Sequence, residues 1–544
     1  MEPVLIVGGG PVGLVTALLL ARWEIPSIVL EAAPVRAAVG SRSICFQRDV
    51  LDVYDRIGCA EAMIAEGVTW TTGRTYYREH ELFTVTFPHP GTAAPPPWIN
   101  ISQTSVEGHL AAAVAKQPRI DVRAGQAVTG LRQTGSYVEV ETATGTVRGS
   151  HLVGADGGHS AVRRLLGIGF PGRTYSDLFL ICDIRADLPF PSERRFYFDP
   201  AWNPGRQVLV HQQPHSVWRI DWQVPPGFDP EAERASGALD ERVRKIVGDR
   251  PYEIVWQSVY RFHERVAERF GAGRAFLAGD AAHLYAPFGA RGLNSGTQDA
   301  ENLAWKLAFV RHGWAPETLL DSYDAERRAA AAENLKVTSA TMEFLVPQTA
   351  ERRAFRQDTL ERAVTDLAAR KLINSGKLAE PYWYLDSPLT TPGDTTGFPT
   401  EPGVPRPPVP GVLCPDGPCA VAPRRSAGEV GRAGTARTRL RRLFGHGFVV
   451  LTGRRTDGTD RIDLAAALRG VPCPVDVYAL AEIDVSGALR AALTPATPDT
   501  VFLIRPDGHL AAVLPDPAGL PTAIHRALAH QPGDLERGES LRGA

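Results

Sequence analysis

The feature that most constrains this chain is a glycine turn set between a buried strand and a buried helix near its start. Val4-Leu5-Ile6-Val7 is an apolar, β-rich run, the composition of a strand covered on both faces. Gly8-Gly9-Gly10-Pro11-Val12-Gly13 follows at once, and an apolar helix is predicted from about Val12 to Trp23. Ser27-Ile28-Val29-Leu30 reads as a second buried strand, ending on Glu31. Strand, turn, helix, strand and acid make a βαβ unit. Gly8, Gly10 and Gly13 fit G-x-G-x-x-G, in which missing side chains let a pyrophosphate reach the helix N-terminus. A carboxylate at Glu31 can accept both hydrogen bonds of a ribose diol. The unit predicts an adenine-dinucleotide site.

Gly167-Ile168-Gly169-Phe170-Pro171-Gly172 fits the same pattern, but Pro171 and the lack of a following helix make it a plain loop. Pro3 to Ala21 carries no charge over nearly the length of a membrane span, yet glycines and Pro11 sit at its centre. A basic leader and a small-residue cleavage site are both missing around it, so a cytoplasmic protein is expected. Net charge is −2, which gives no basic surface for nucleic acid or lipid. The six cysteines form no C-x-x-C pair and no zinc-like cluster, so no metal site is expected.

Further along, strands separated by Pro, Gly and Asn turns run from Leu178 to Val224, with Thr69 to Phe87 as further candidates. No helix intervenes, which predicts a mostly antiparallel sheet. Helical periodicity returns from about Asn294 to Leu378. The run Thr390 to Gly411 is rich in proline and reads as a linker, and a small α/β unit follows. Two more motifs put an aspartate just after a buried strand, at the sheet edge where ligands sit in open α/β folds. One is Gly154-Ala155-Asp156-Gly157. The other is Ala278-Gly279-Asp280-Ala281, followed by Pro287 and by Gly292-Leu293-Asn294 at the start of a helix.

In this order and spacing the three motifs resemble the class A flavoprotein aromatic hydroxylases. Ser41-Arg42-Ser43, Gln103 with Glu107, and the stretch Gly289 to Leu307 also fit that family. The tail, through Val501 to His509, is similar to the thioredoxin-like domain of the phenol-hydroxylase branch.

The resemblance implies a glutathione-reductase-type, Rossmann-like FAD domain over residues 1–173 and 262–400. A β-sheet substrate domain would be inserted at 174–261, with 69–100 adding to it, then a linker at 401–411 and a thioredoxin-like domain at 412–544. Gly8, Gly10, Pro11 and Gly13 would lie along the FAD pyrophosphate, and Glu31 would hold the adenosine ribose. Arg42 and Gln103 would contact the phosphate and ribityl region. Gly279 and Asp280 would serve the ribityl chain, and Asp156 the FAD and NAD(P)H. Pro287, Gly292, Leu293 and Asn294 would line the isoalloxazine. The family often has two glycines and a Gln where this chain has Gly289, Ala290 and Arg291.

The implied activity is hydroxylation of a phenolic ring by NAD(P)H and O₂ through a flavin hydroperoxide. Epoxidation, Baeyer–Villiger oxidation, or an FAD reductase or dehydrogenase without oxygen insertion stay open as alternatives. In the inserted sheet His211, Arg219 and Asp221 are the catalytic candidates, and Tyr197 and Trp222 the substrate contacts. The partners expected are a small aromatic substrate and a second copy of the chain.

Overall fold

Val4–Val7 is wholly buried because both faces of its sheet are covered. In the computed structural model, which describes residues 1–35, 43–89, 94–401, 404–421, 436–454, 464, 466–494 and 497–530, this strand lies inside a six-stranded sheet. It pairs in parallel with Ser27–Glu31 on one side and Leu152–Gly154 on the other. Leu152–Gly154 in turn pairs in parallel with Ala275–Leu277. The glycine turn and both Asp motifs therefore leave the same carboxyl edge, as neighbours. The helices Pro11–Arg22 and Gly292–Arg311 pack on this sheet and on each other, with Val12 closing against Gly279 and Gly296.

A second sheet of eight strands stands beside it. Gly172–Ala186 is its central long strand, paired antiparallel with Val217–Val224 and with Tyr252–Val266. Gln207–Gln212 and Arg194–Phe198 continue the antiparallel order. Thr72–Tyr77 then joins in parallel, and its hairpin partner His80–Thr86 forms the edge. The helix Gln103–Val114 starts where Ser102 caps it, its side chain accepting from the Ser105 N–H.

A four-stranded sheet, with Phe448–Thr452 and Val501–Ile504 at its centre, forms the C-terminal unit. The proline-rich run before it is packed in its described part. Gly411 donates to the Leu510 carbonyl and accepts from the Tyr384 N–H, so the run is stitched between both units instead of spanning them freely. Among the described residues, no helix is long and apolar enough to cross a membrane.

Candidate functional site

A single cavity of about 920 Å³ joins the carboxyl edge of the first sheet to one face of the second. At the first end it is lined by Gly8, Gly10, Pro11, Glu31, Gln103, Asp156 and Asp280. At the second end lie Phe179, Leu209, His211, Arg219, Asp221, Phe262 and Phe288.

The glycines of the turn divide the work. Gly8 holds φ at +108°, a backbone region that favours glycine. A Cβ on Gly10 would meet none of the described residues within 4 Å, and the position lines the cavity. A Cβ on Gly13 would strike the Gly8 carbonyl, so Gly13 lets the helix close on the turn and does not itself line the cavity. Glu31 also supports the turn, its carboxylate accepting from the Gly9 N–H at 2.6 Å and the Ala33 N–H at 2.8 Å.

Asp156 places one oxygen on the Val162 N–H at 3.0 Å. Among the described residues its Oδ1 is buried without a hydrogen-bond partner, while the residue lines the cavity. A buried acceptor of this kind calls for a donor. An adenine dinucleotide of the flavin type supplies hydroxyl donors and an anionic pyrophosphate. The orphaned Asp156 oxygen, the open Gly10 and the free N-terminus of the Pro11–Arg22 helix all fit such a group.

The Gly279–Asp280 turn is braced from behind. The Gly279 N–H donates to Asp299 Oδ2 at 3.0 Å, and that oxygen lies 2.6 Å from His283 Nε2. Burial by itself would raise the Asp299 carboxyl, but the His283 and Arg327 charges hold it down to about 2.

Several sequence expectations need correction. Gly279 is buried against Val12 and does not line the cavity, which Asp280 does. Asn294 turns away from the cavity. Its amide donates to the Cys45 and Ala290 carbonyls and its oxygen accepts from the Gln47 N–H, so it ties the strand Cys45–Gln47 to the helix. Pro287, Gly292 and Leu293 do line the cavity. Arg42 lies outside the described residues.

Tyr197 and Trp222 are on the wrong face for substrate. Tyr197 pairs with Val208, and Val208 with Trp222, on the side that packs a separate apolar core. Tyr197 stacks on Tyr76 there, with ring centroids 4.8 Å apart. Strand alternation puts His211, Arg219 and Asp221 on the opposite, cavity face.

On that face the cross-strand register builds a polar row. His211 stands opposite Arg219, Arg219 opposite Asp183, and Asp183 opposite Trp256. Arg219 donates to both Asp183 oxygens at 2.8 Å, a bidentate buried pair. Asp221 lies in the next row, with Oδ1 buried and unpartnered among the described residues. Burial pushes its carboxyl up to about 7, against the pull of Arg219. Burial, then Arg194 and Arg219, press His211 down to about 3, so its ring is neutral near neutral pH.

The residues that motif reading missed are Arg194, at the start of its strand, and the aromatic wall. No motif marks them. The alternation of Arg194, Phe196 and Phe198 is the signal that could have placed Arg194 on the inner face of its strand. Arg291, the departure from the family pattern, is 4% exposed. Its guanidinium donates to Asn334 and to the Lys377 and Leu378 carbonyls, pinning residues 377–378 over the loop.

Residues 1–338 match the family model described as FAD binding domain. A 3-(3-hydroxy-phenyl)propionate/3-hydroxycinnamic acid hydroxylase of Paraburkholderia xenovorans (strain LB400) is 31% identical over 350 residues, covering 63% of this chain and 56% of that enzyme. The chain thus spans a little over half the length of that relative. A flavin-dependent monooxygenase of Mycobacteroides abscessus (strain ATCC 19977) is 34% identical over 359 residues, covering 62% of this chain and 73% of that protein. The crystal structure of the flavin-dependent monooxygenase PieE with FAD and substrate superposes with a TM-score of 0.80 at 24% identity. It covers 97% of this chain and 99% of that one, a likeness of fold. The chain belongs to the FAD-binding-domain family, with a flavin-dependent monooxygenase among its relatives.

Proposed function

We propose that this chain is an FAD-dependent, NAD(P)H-consuming monooxygenase that places a hydroxyl group on a phenolic ring. The observation that carries the reading is the continuity of one cavity, from Gly10 and Asp156 to the wall of Phe179, Phe262 and Phe288. A dinucleotide and a flat apolar ring can lie end to end in it, away from bulk water. The relatives named above act as hydroxylase and monooxygenase, which favours oxygen insertion over plain dehydrogenation.

FAD bound here would supply the activation of O₂. The remaining work falls to side chains. Gly8, Gly10 and Pro11 receive the pyrophosphate, and Gly13 keeps the helix close enough to offer its N–H groups. Glu31 serves the ribose, and Gln103, Asp156 and Asp280 accept from hydroxyls. Pro287, Gly292 and Leu293 flank the ring system. Asp221 takes the proton of the ring hydroxyl at Oδ1, because its acidity is matched to neutral pH. His211 stays neutral and accepts a hydrogen bond beside it. Arg219, fixed by Asp183, keeps a positive charge next to the oxygen that becomes anionic.

In this reading residues 174–261 are the substrate domain, set into an FAD domain of 1–173 and 262–400. The C-terminal unit is thioredoxin-like in plan, and its sequence holds no C-x-x-C pair for dithiol chemistry.

The test is product analysis under ¹⁸O₂. Protein loaded with FAD, given NAD(P)H and a panel of phenols, should oxidise the nicotinamide and return a phenol heavier by one labelled oxygen. Nicotinamide oxidation without labelled product from any phenol would end the proposal.

A further inference from the structure

Arg194 is a buried guanidinium, 6% exposed, in the wall of the cavity. Its register continues the Arg195–Val210 pair by one residue, which sets it beside His211 in the polar row. On its other side it pairs with Gly73, which has no side chain to occupy the space. Its one hydrogen bond among the described residues runs from Nη2 to the Ser375 carbonyl at 2.8 Å.

That leaves most of its donors, and its charge, unanswered. The nearest carboxylate in sequence, Glu193, is engaged elsewhere: it binds Arg195 at 2.7 Å and Arg74 at 2.8 Å. Arg163 and Arg291 are buried without a carboxylate but spread their donors over two and three protein oxygens, Arg356 lies away from this cavity, and the remaining buried guanidiniums have carboxylate partners. Arg219 has Asp183, Arg327 has Asp299 and Arg505 has Glu326. Arg194 forms no ion pair among the described residues. A buried cation without a counter-ion is costly, and natural interiors pair it or bind a ligand to it.

The rest of the wall states what that ligand looks like. Phe179, Leu209, Phe262 and Phe288 offer a flat apolar slot, and Asp221 and His211 face its polar end. Five N–H donors in a planar fork suit an oxygen anion. We propose that Arg194 is the specificity-determining residue of the substrate cavity, and that it selects an aromatic substrate presenting an oxyanion, either a carboxylate or an ionised ring hydroxyl. This rests on the aromatic-substrate reading given above, but not on oxygen insertion.

The experiment measures equilibrium binding to the FAD-loaded protein by the change in flavin absorbance, without NAD(P)H. Three probes share one skeleton: 3-(3-hydroxyphenyl)propionate, its carboxamide, and its ring O-methyl ether. A charged hydrogen bond in a dry site separates ligands by about tenfold or more. The wild type should bind the acid that much tighter than the amide if the anion is the carboxylate. It should bind the phenol that much tighter than the ether if the anion is the ring oxygen. Arg194→Gln, which keeps a donor for Ser375, should level the preference that the wild type shows, and Arg194→Lys should keep part of it. FAD content and melting temperature show whether each variant is folded.

Equal affinity of the wild type for all three probes, no binding by any, or a preference that survives in folded Arg194→Gln would each overturn the proposal. The two readings fail separately. An anion preference with no ¹⁸O-labelled product keeps the Arg194 site and removes the monooxygenase. Labelled product with no anion preference does the reverse.

Discussion

Arg327 Nε donates to Asp299 Oδ1 at 2.6 Å, and both side chains are sealed from solvent. The other Asp299 oxygen accepts from the Gly279 N–H, so this pair fixes the turn that aims Asp280 into the cavity. Removing the charge leaves the buried Arg327 without its counter-ion. Asp299→Asn should cost about 3–5 kcal/mol, read from urea unfolding, and the surviving folded protein should lose FAD more readily.

The same carboxyl sets an acid limit. Its folded value, about 2, lies below its ordinary value, so the unfolded chain binds more protons in that window. Its contribution is complete above the ordinary carboxylate value and is lost as pH falls through about 2. The stability gap between wild type and Asp299→Asn should therefore narrow from pH 4 to pH 2. A gap that stays constant over that range would show that the side chain acts by packing alone.

Asp221 makes a prediction in the opposite direction. Because burial raises it to about 7, it becomes a proton acceptor only as pH rises through neutrality. The rate of ring oxygenation should climb over that interval. Asp221→Asn should lower it by about 10²–10⁴-fold and remove the climb. An unchanged profile in the variant would assign the proton to another group.

Two glycines of one turn should fail differently. Gly10→Val places its side chain in open space, so the apo protein should melt normally while FAD binding weakens. Gly13→Ala drives a methyl into the Gly8 carbonyl and should destabilise the apo protein itself, by about 1–3 kcal/mol as overpacking does. Calorimetry with and without FAD separates the two.

Tyr197→Phe should leave turnover within about twofold, because that ring faces the second core. Phe262→Ala should raise the KM for an aromatic substrate, since that ring lines the cavity and stacks on Phe179 with centroids 4.3 Å apart.

The first sheet was legible in the sequence because its chemistry is local. A glycine turn must follow a strand and open a helix, so Gly8, Gly10, Asp156 and Asp280 were found by order alone. What lay beyond reach was the sense of each side chain. Asn294 and Gly279 belong to the same motif stretch as Leu293 and Asp280, yet a rotation of one residue turns them inward. In the second sheet, period-two alternation did separate Trp222 from Asp221. It could not say which of the two faces met the cavity, because that is decided by packing against the first sheet. Arg194 was hidden for a different reason: its meaning comes from a missing partner, and an absence of charge pairing is a property of the folded neighbourhood.

Arg505 comes from the C-terminal unit and Glu326 from the long helix Asp321–Leu345, and the two side chains are paired with neither exposed. Asp507 joins them and accepts from the Trp305 indole N–H at 3.1 Å. Module shuffling is therefore constrained at this seam. A tail swapped in from another protein must bring a second cation beside Lys306 to Glu326 and an acceptor to Trp305, or it leaves a buried indole N–H without its partner and Glu326 with half its pairing. Recombination at the proline-rich run alone does not respect that requirement, so chimeras broken there should reach the soluble fraction only when both tail residues travel with the helix that needs them.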